Sequence, residues 1–200
     1  DVGAILGLDR FRTAYDVWLD KTGRKEPEDE ITDAARRGNY LEDALLDRYS
    51  HQTQPKVFDR QVSVVKGEGG WKRGNIDGFA RGEDNSPIVV EAKTVSAHAF
   101  RQFWGEPGTD EVPDRVLAQA LWYTSMTDAC HIDIPVCVVP DNPDAVLGRM
   151  PDEVIDRAQF HVYRLERDPE LEGRIVEKCR QFWFENVLGD VEPEIVAKDL

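Results

Sequence analysis

The succession of apolar patterns along this chain predicts an α/β (α+β) fold in which a mixed central sheet is flanked by helices. Two observations carry the prediction. Apolar residues recur at helical spacing through about residue 52, and again near 113–126 and 169–188. Between these segments lie runs of strand length, three in a block and then two more. The 200 residues show no internal repeat, low-complexity tract or Pro/Ser-rich linker, and their length buries a substantial core in one piece. A single domain over 1–200 is therefore expected: a helical block at about 1–52, a core at about 53–166, a closing helix at about 168–188, then an acidic tail.

Taken in order, "DVGAILGL" reads as a helix entered without an initiator Met, which implies a natural chain extending upstream. Thr13 and Asp16 resemble a capping box that opens "AYDVWLDKTG", and Gly23 ends that helix. From about Thr32 to Ser50, Leu41, Leu45, Leu46 and Tyr49 share one side of a longer helix, with Glu42 at the margin of the apolar set. Val57–Val65, Trp71–Ala80 and Ile88–Val95 are strand-like, the last two joined by the turn-rich "RGEDNSP". Ala97 to Val112, rich in Trp, Phe, Gly and Pro, reads as a loop before a helix from about Pro113 to Met126. Strands at Cys130–Val139 and Gln159–Glu166 precede the last helix, with Asp168 as N-cap and Pro169 at its first position. Leu171, Ile175, Cys179, Phe182 and Val187 form its buried stripe.

With 39 acidic and 25 basic residues the net charge is −14, which opposes general nucleic-acid binding, because phosphate contacts need Lys and Arg. The distribution is uneven. Lys56, Arg60, Lys66, Lys72 and Arg73 cluster before Asp77, whereas Glu185 to Leu200 is strongly acidic, so an acidic exterior with a local basic groove is compatible with the sequence. No stretch has the length of a membrane span and no signal peptide is visible. Cys130, Cys137 and Cys179 lack metal-ligand spacing and read as buried reduced thiols of a cytoplasmic protein; His51, His98, His131 and His161 are scattered, which excludes a His-based zinc site or triad.

The chemistry-bearing pattern is Asp77 followed by Glu91-Ala92-Lys93. Residues i and i+2 of a strand share a face, so Glu91 and Lys93 project together, with Asp77 on the neighbouring strand at the edge of a sheet. Two acids and a lysine in one small volume suit a divalent metal that delivers water to a phosphodiester, with the lysine neutralising developing charge. In so acidic a chain such a pattern also arises by chance. Its setting distinguishes it, because apolar strand-like runs carry these charges inward. Gln119 and Tyr123, four apart, share a face of the following helix: an amide that can orient water, and a ring that can stack or hydrogen-bond.

Together these segments resemble the lambda-exonuclease and YqaJ-type viral recombinase family of the PD-(D/E)XK nuclease superfamily, nearly end to end. The segments are "AILGLDRFRTAYDVWLDKTGR", "RRGNYLEDALLDRYS" with Gly38 and Glu42, "IDGFA" with "VVEAKTV", "EVPDRVLAQALWYTSMTD", and "FHVYRLERDPELEGRIVEKCRQFW". The resemblance implies a restriction-endonuclease-like core and a metal-dependent 5′-to-3′ exonuclease acting on linear double-stranded DNA ends. The strand left behind would serve phage-type recombination through a single-strand annealing protein. Asp77, Glu91 and the Ala92 carbonyl would be metal ligands and Glu42 would complete a second position. Lys93 would hold or activate water and Gln119 would help orient it. Mg²⁺ is the implied ion, with Mn²⁺ as substitute, two ions roughly 4 Å apart. Arg10, Arg12 and Tyr123 are candidate DNA contacts, and a ring-shaped homotrimer, phage or prophage encoded in a bacterial host, completes the expectation.

The chain departs from the family in three ways. The Arg and Ser that help hold the 5′-phosphate would lie before Asp1, the Asp-to-Glu gap is longer, and residue 76 is Ile where the superfamily name has Pro. A Cas4-like or RecB-like nuclease with a four-cysteine cluster is disfavoured by three unpatterned cysteines, and a restriction enzyme by the lack of length for a recognition region. A non-catalytic DNA-end module is disfavoured because Glu42, Asp77, Glu91 and Lys93 are all present.

Overall fold

The computed structural model describes residues 1–25, 32–142 and 144–194, so Lys198 and Asp199 of the acidic tail lie outside it. Helices α1 (Val2–Ile5), α2 (Ala14–Lys21) and α3 (Asp33–Gln52) precede strands β1 (Val57–Lys66), β2 (Lys72–Arg81), β3 (Pro87–Val90) and β4 (Lys93–Ser96). Then come α4 (Ala97–Phe103), α5 (Asp114–Thr124), β5 (His131–Val139), α6 (Asp144–Leu147), α7 (Pro151–Arg157), β6 (Gln159–Glu166) and α8 (Pro169–Gln181), which runs into π-helical turns at Phe182–Leu188. The expected starts are present. Thr13 and Asp16 close a full capping box, Thr32 and Asp168 accept from backbone N–H groups of α3 and α8, and Gly23 follows α2 with φ +70°.

The sheet is mixed, as expected. β1 pairs with β2 and β2 with β3, both antiparallel; β3 and β4 both run parallel to β5, whose other edge takes β6 antiparallel. The single strand expected at Ile88–Val95 is thus two. Ile88 lies opposite His131 and Lys93 opposite Val136, so the register is the same on either side of the break, and only Glu91 and Ala92 leave the ladder. One strand line has been opened by two residues without slipping.

All nine residues of β5 are buried, because both of its faces are covered. Ile132, Ile134 and Val136 pack with Ala118 and Leu121 of α5 and Ile175 of α8. On the opposite face Cys137 and Val139 pack with Leu41 and Leu45 of α3 and with Val154 and Ile155 of α7. α6 and α7 were not anticipated; each is too short for a helical period to stand out. The loop expected at 97–112 contains α4, capped by the Ser96 hydroxyl accepting from the Ala99 N–H at 3.3 Å; Phe100 and Trp104 pack against the core, while Phe103 is exposed. Cys130 corrects another expectation: it precedes β5 and is exposed, while Cys137 and Cys179 are buried. Among the described residues, no helix is long and apolar enough to cross a membrane.

Candidate active site

Asp77 follows buried Ile76 in β2 and precedes Gly78, where an added Cβ would stand 3.0 Å from Val57 and 3.6 Å from Leu46. Glycine there lets α3 approach the sheet, and α3 carries Glu42, half-buried at its margin. Asp77 lies where β2 stops pairing with β3, inside the sheet and not on an edge strand as expected from the sequence. At that point the opened strand turns its backbone to new uses. The Ala92 N–H donates to Asp77 Oδ2 at 2.8 Å and the Glu91 N–H to the Asp133 carbonyl at 3.0 Å.

Glu91 is 3% exposed. Its Oε1 accepts from Lys93 Nζ at 2.6 Å and from Gln119 Nε2 at 2.7 Å, so the i, i+2 partners share a face despite the break. Lys93 Nζ also donates to Gln119 Oε1 at 3.1 Å, and Gln119 Nε2 donates to the Tyr123 hydroxyl at 3.0 Å. Glu91 Oε2 is buried and has no hydrogen-bond partner. Burial pushes the Asp77 carboxyl up to about 8, helped by repulsion from Glu91 and Glu42 and opposed by Lys93. Glu42 is raised too, first by burial and then by Glu91 and Asp43, against a lowering contact with the Gln61 side chain.

The structure thus gathers Glu42, Asp77, Glu91, Lys93 and Gln119 within mutual electrostatic reach. Among the described residues, no three His, Cys, Asp or Glu side chains converge closely enough to enclose a metal ion unaided. What they offer is an open set of oxygen donors with one orphaned carboxylate oxygen, a donor chemistry suited to a hard divalent cation that keeps other ligands.

The remaining candidates lie differently. Tyr123 is 7% exposed and lines the cleft that opens beside Gln119, its ionisation opposed by burial and by Glu91; its hydroxyl accepts from Gln119 Nε2. Arg12 pairs with Asp1 at 3.1 Å and Asp20 at 3.8 Å, and the Arg10 guanidinium covers the rings of Phe11 and Phe103. Neither lines the cleft of about 870 Å³ that opens beside Gln119; Arg73 and Arg115 do, with Trp71 and Trp183. The basic cluster before Asp77 is partly spent internally. Arg60 binds Asp43 and Asp47 of α3, and buried Lys72 lies over the Trp122 ring.

Two supporting residues escaped the sequence reading. Asp133, 1% exposed, accepts from Tyr49 Oη at 2.6 Å and from both Arg164 nitrogens at 2.8 and 3.0 Å, while its carbonyl holds Glu91. The lone acid in "HIDIPVCVV" was the available signal. The other is Gln61, whose φ of +51° had no sequence signal.

Residues 1–130 match the family described as YqaJ-like viral recombinase domain. A Bacillus subtilis (strain 168) protein described as uncharacterized protein YqaJ is 26% identical over 195 residues, covering 98% of this chain and 54% of that protein. The chain therefore spans about half the length of the curated relative it matches. An alkaline exonuclease from Laribacter hongkongensis (LHK-Exo) superposes with a TM-score of 0.61 at 17% identity, covering 94% of this chain and 87% of the other. LHK-Exo in complex with dAMP gives 0.62 at 20% identity, covering 94% and 86%. A phage related exonuclease from Haemophilus somnus 129PT gives 0.62 at 14%, covering 88% and 81%. At these identities the likeness is one of fold.

Proposed function

The chain belongs to the YqaJ-like viral recombinase domain family, and from that membership we propose that it is a metal-dependent deoxyribonuclease digesting one strand of linear double-stranded DNA from the 5′ end. The observation that carries the proposal is the orphaned, buried Oε2 of Glu91 in the same site as Asp77, whose own carboxyl is crowded by like charge. Buried acids in such proximity are costly unless a cation joins them. The fold shared with proteins described as exonucleases supports the same reading.

Asp77, Glu91 and the Ala92 carbonyl would hold Mg²⁺, with Mn²⁺ as substitute and Glu42 serving a second position. When bound, the metal supplies charge stabilisation for the attacking and leaving oxygens of the phosphodiester. The chain's own groups set the approach. An ammonium has three N–H donors, and Lys93 engages two of them on Glu91 and Gln119, leaving one for a water or phosphate oxygen. Gln119 uses both amide hydrogens on Glu91 and Tyr123, which fixes its rotamer. Its Oε1, accepting from Lys93, keeps a second lone pair that can orient a water proton. Water attack at phosphorus then breaks the P–O3′ bond, the 3′ oxygen takes up a proton, and a 5′-mononucleotide leaves. The remaining strand is the substrate a single-strand annealing protein requires, and a homo-oligomeric ring would keep the enzyme on its track.

The test is Mg²⁺-dependent digestion of linear duplex DNA labelled separately at each end, with covalently closed circles as control. Mononucleotide release from the 5′ label, with circles intact, is expected. Cutting of the circles would replace the exonuclease reading with an endonuclease.

A further inference from the structure

Gln61 sits in the middle of β1 with φ +51°, a left-handed conformation that residues with a Cβ seldom adopt in a strand. Arg60 pairs with Gly78 and Val62 with Ile76, so Gln61 faces Asp77, yet those two alone drop out of the ladder between them. Glu42 and Gln61 are neighbours across α3 and β1, where Arg60 Nη1 donates to the Asp43 carbonyl at 3.3 Å and to Asp43 Oδ1 at 3.2 Å; the exposed Gln61 side chain acts on the Glu42 carboxyl as a hydrogen-bonding neighbour that opposes its upward shift. Glu42 needs such a hold. It is repelled by Glu91 and by Asp43 and sits half-buried at a helix margin, from which an unrestrained carboxylate would swing into solvent.

We infer that Gln61 is a positioning residue of the proposed nuclease site: its strained backbone aims the amide at Glu42 and keeps that carboxylate turned toward Asp77 and Glu91. Non-glycine residues in the left-handed region persist where the surroundings over-determine them, and they concentrate at functional sites. An ordinary strand conformation at residue 61 would restore pairing with Asp77 and send the Gln side chain along the normal β1 alternation instead. The inference rests on the nuclease reading, because the group being positioned is a carboxylate assigned to metal.

The experiment compares wild type with Gln61→Gly, which keeps the left-handed backbone without strain but removes the amide, and Gln61→Asn, which tolerates the backbone but is one methylene short. Three quantities are read: Tm without metal, Mn²⁺ affinity from the free-ion EPR signal, and the Mg²⁺ concentration giving half-maximal cleavage. Both variants should bind Mn²⁺ roughly 10-fold more weakly and need correspondingly more Mg²⁺, as expected for loss of an outer-shell partner. Gln61→Gly should leave Tm unchanged or raise it by roughly 2–4 °C. A purely structural role would lower Tm and leave metal affinity alone, and that result overturns the inference. Wild-type Mn²⁺ affinity in either variant overturns it too while leaving the nuclease reading intact. A wild-type protein that neither binds Mn²⁺ nor cleaves DNA removes both.

Discussion

At Glu91 the two carboxylate oxygens lead different lives: Oε1 takes protons from Lys93 and Gln119, whereas Oε2 is sealed from water with nothing to bind. Lys93 has a donor to spare at the site, with its other two on Glu91 and Gln119, so Lys93→Ala should lower single-turnover cleavage by at least about 100-fold. DNA-end binding, followed by fluorescence anisotropy, should change little, because the ammonium spends its other donors within the protein. Asp77 makes a second prediction at this scale. Its carboxyl, lifted to about 8, keeps its proton in the folded chain long after the unfolded chain has released it. The metal-free protein therefore has the full benefit of that group near pH 4 and loses it as pH rises toward 8. Asp77→Asn should raise the metal-free Tm at pH 8 by roughly 5 °C in calorimetry while eliminating cleavage. At the proposed metal site the same displacement would set protons in competition with metal below pH 8, so half-maximal Mg²⁺ should rise as pH falls.

Among the elements, α3 is the one whose placement decides whether Glu42 reaches the site. Tyr49, two turns along the same helix, ties it to β5 through Asp133, and Asp133 also holds the Glu91 N–H. Tyr49→Phe removes a buried hydrogen bond to a charged group, a loss of about 2 kcal/mol and roughly 4–8 °C in Tm by thermal denaturation. Most of the elements could be read from the chain, since Thr13–Asp16, Thr32, Asp168–Pro169 and the β5 apolar run are local signals. The site's acids were legible for the same reason, each standing against an apolar strand or helix pattern. What escaped was set by tertiary pairing. The opening of Ile88–Val95 at Glu91, the turned backbone of Gln61 and the role of Asp133 all depend on strands that meet from distant parts of the sequence. For Arg10 and Arg12 the sequence favours pairing with local acids over contact with a DNA end; Arg12 makes that pairing with Asp1 and Asp20, whereas Arg10 covers the rings of Phe11 and Phe103.

For the molecule as a whole, a charge of −14 must coexist with the polyanionic substrate proposed above. The cleft beside Gln119 presents Arg73 and Arg115, while Lys21 on its wall is engaged by Asp1 and Asp20. With about two phosphates neutralised per chain, the logarithm of DNA affinity should fall against the logarithm of salt with a slope near −2, measured by anisotropy in Mg²⁺-free buffer; a slope of −5 or steeper would locate the binding surface elsewhere. The opened strand also carries a consequence for how the protein is made. Asp77 and Glu91 belong to a hairpin that closes through the short 82–86 turn, but Glu91 is pinned to Asp133, and Gln119 delivered, only once β5 has returned across the whole 97–130 connection. Parallel pairings over such separations form late, after local hairpins. A ribosome-bound or refolding chain would thus carry its acids side by side well before the proposed site is complete, and in stopped-flow refolding the return of cleavage should trail the return of hairpin structure.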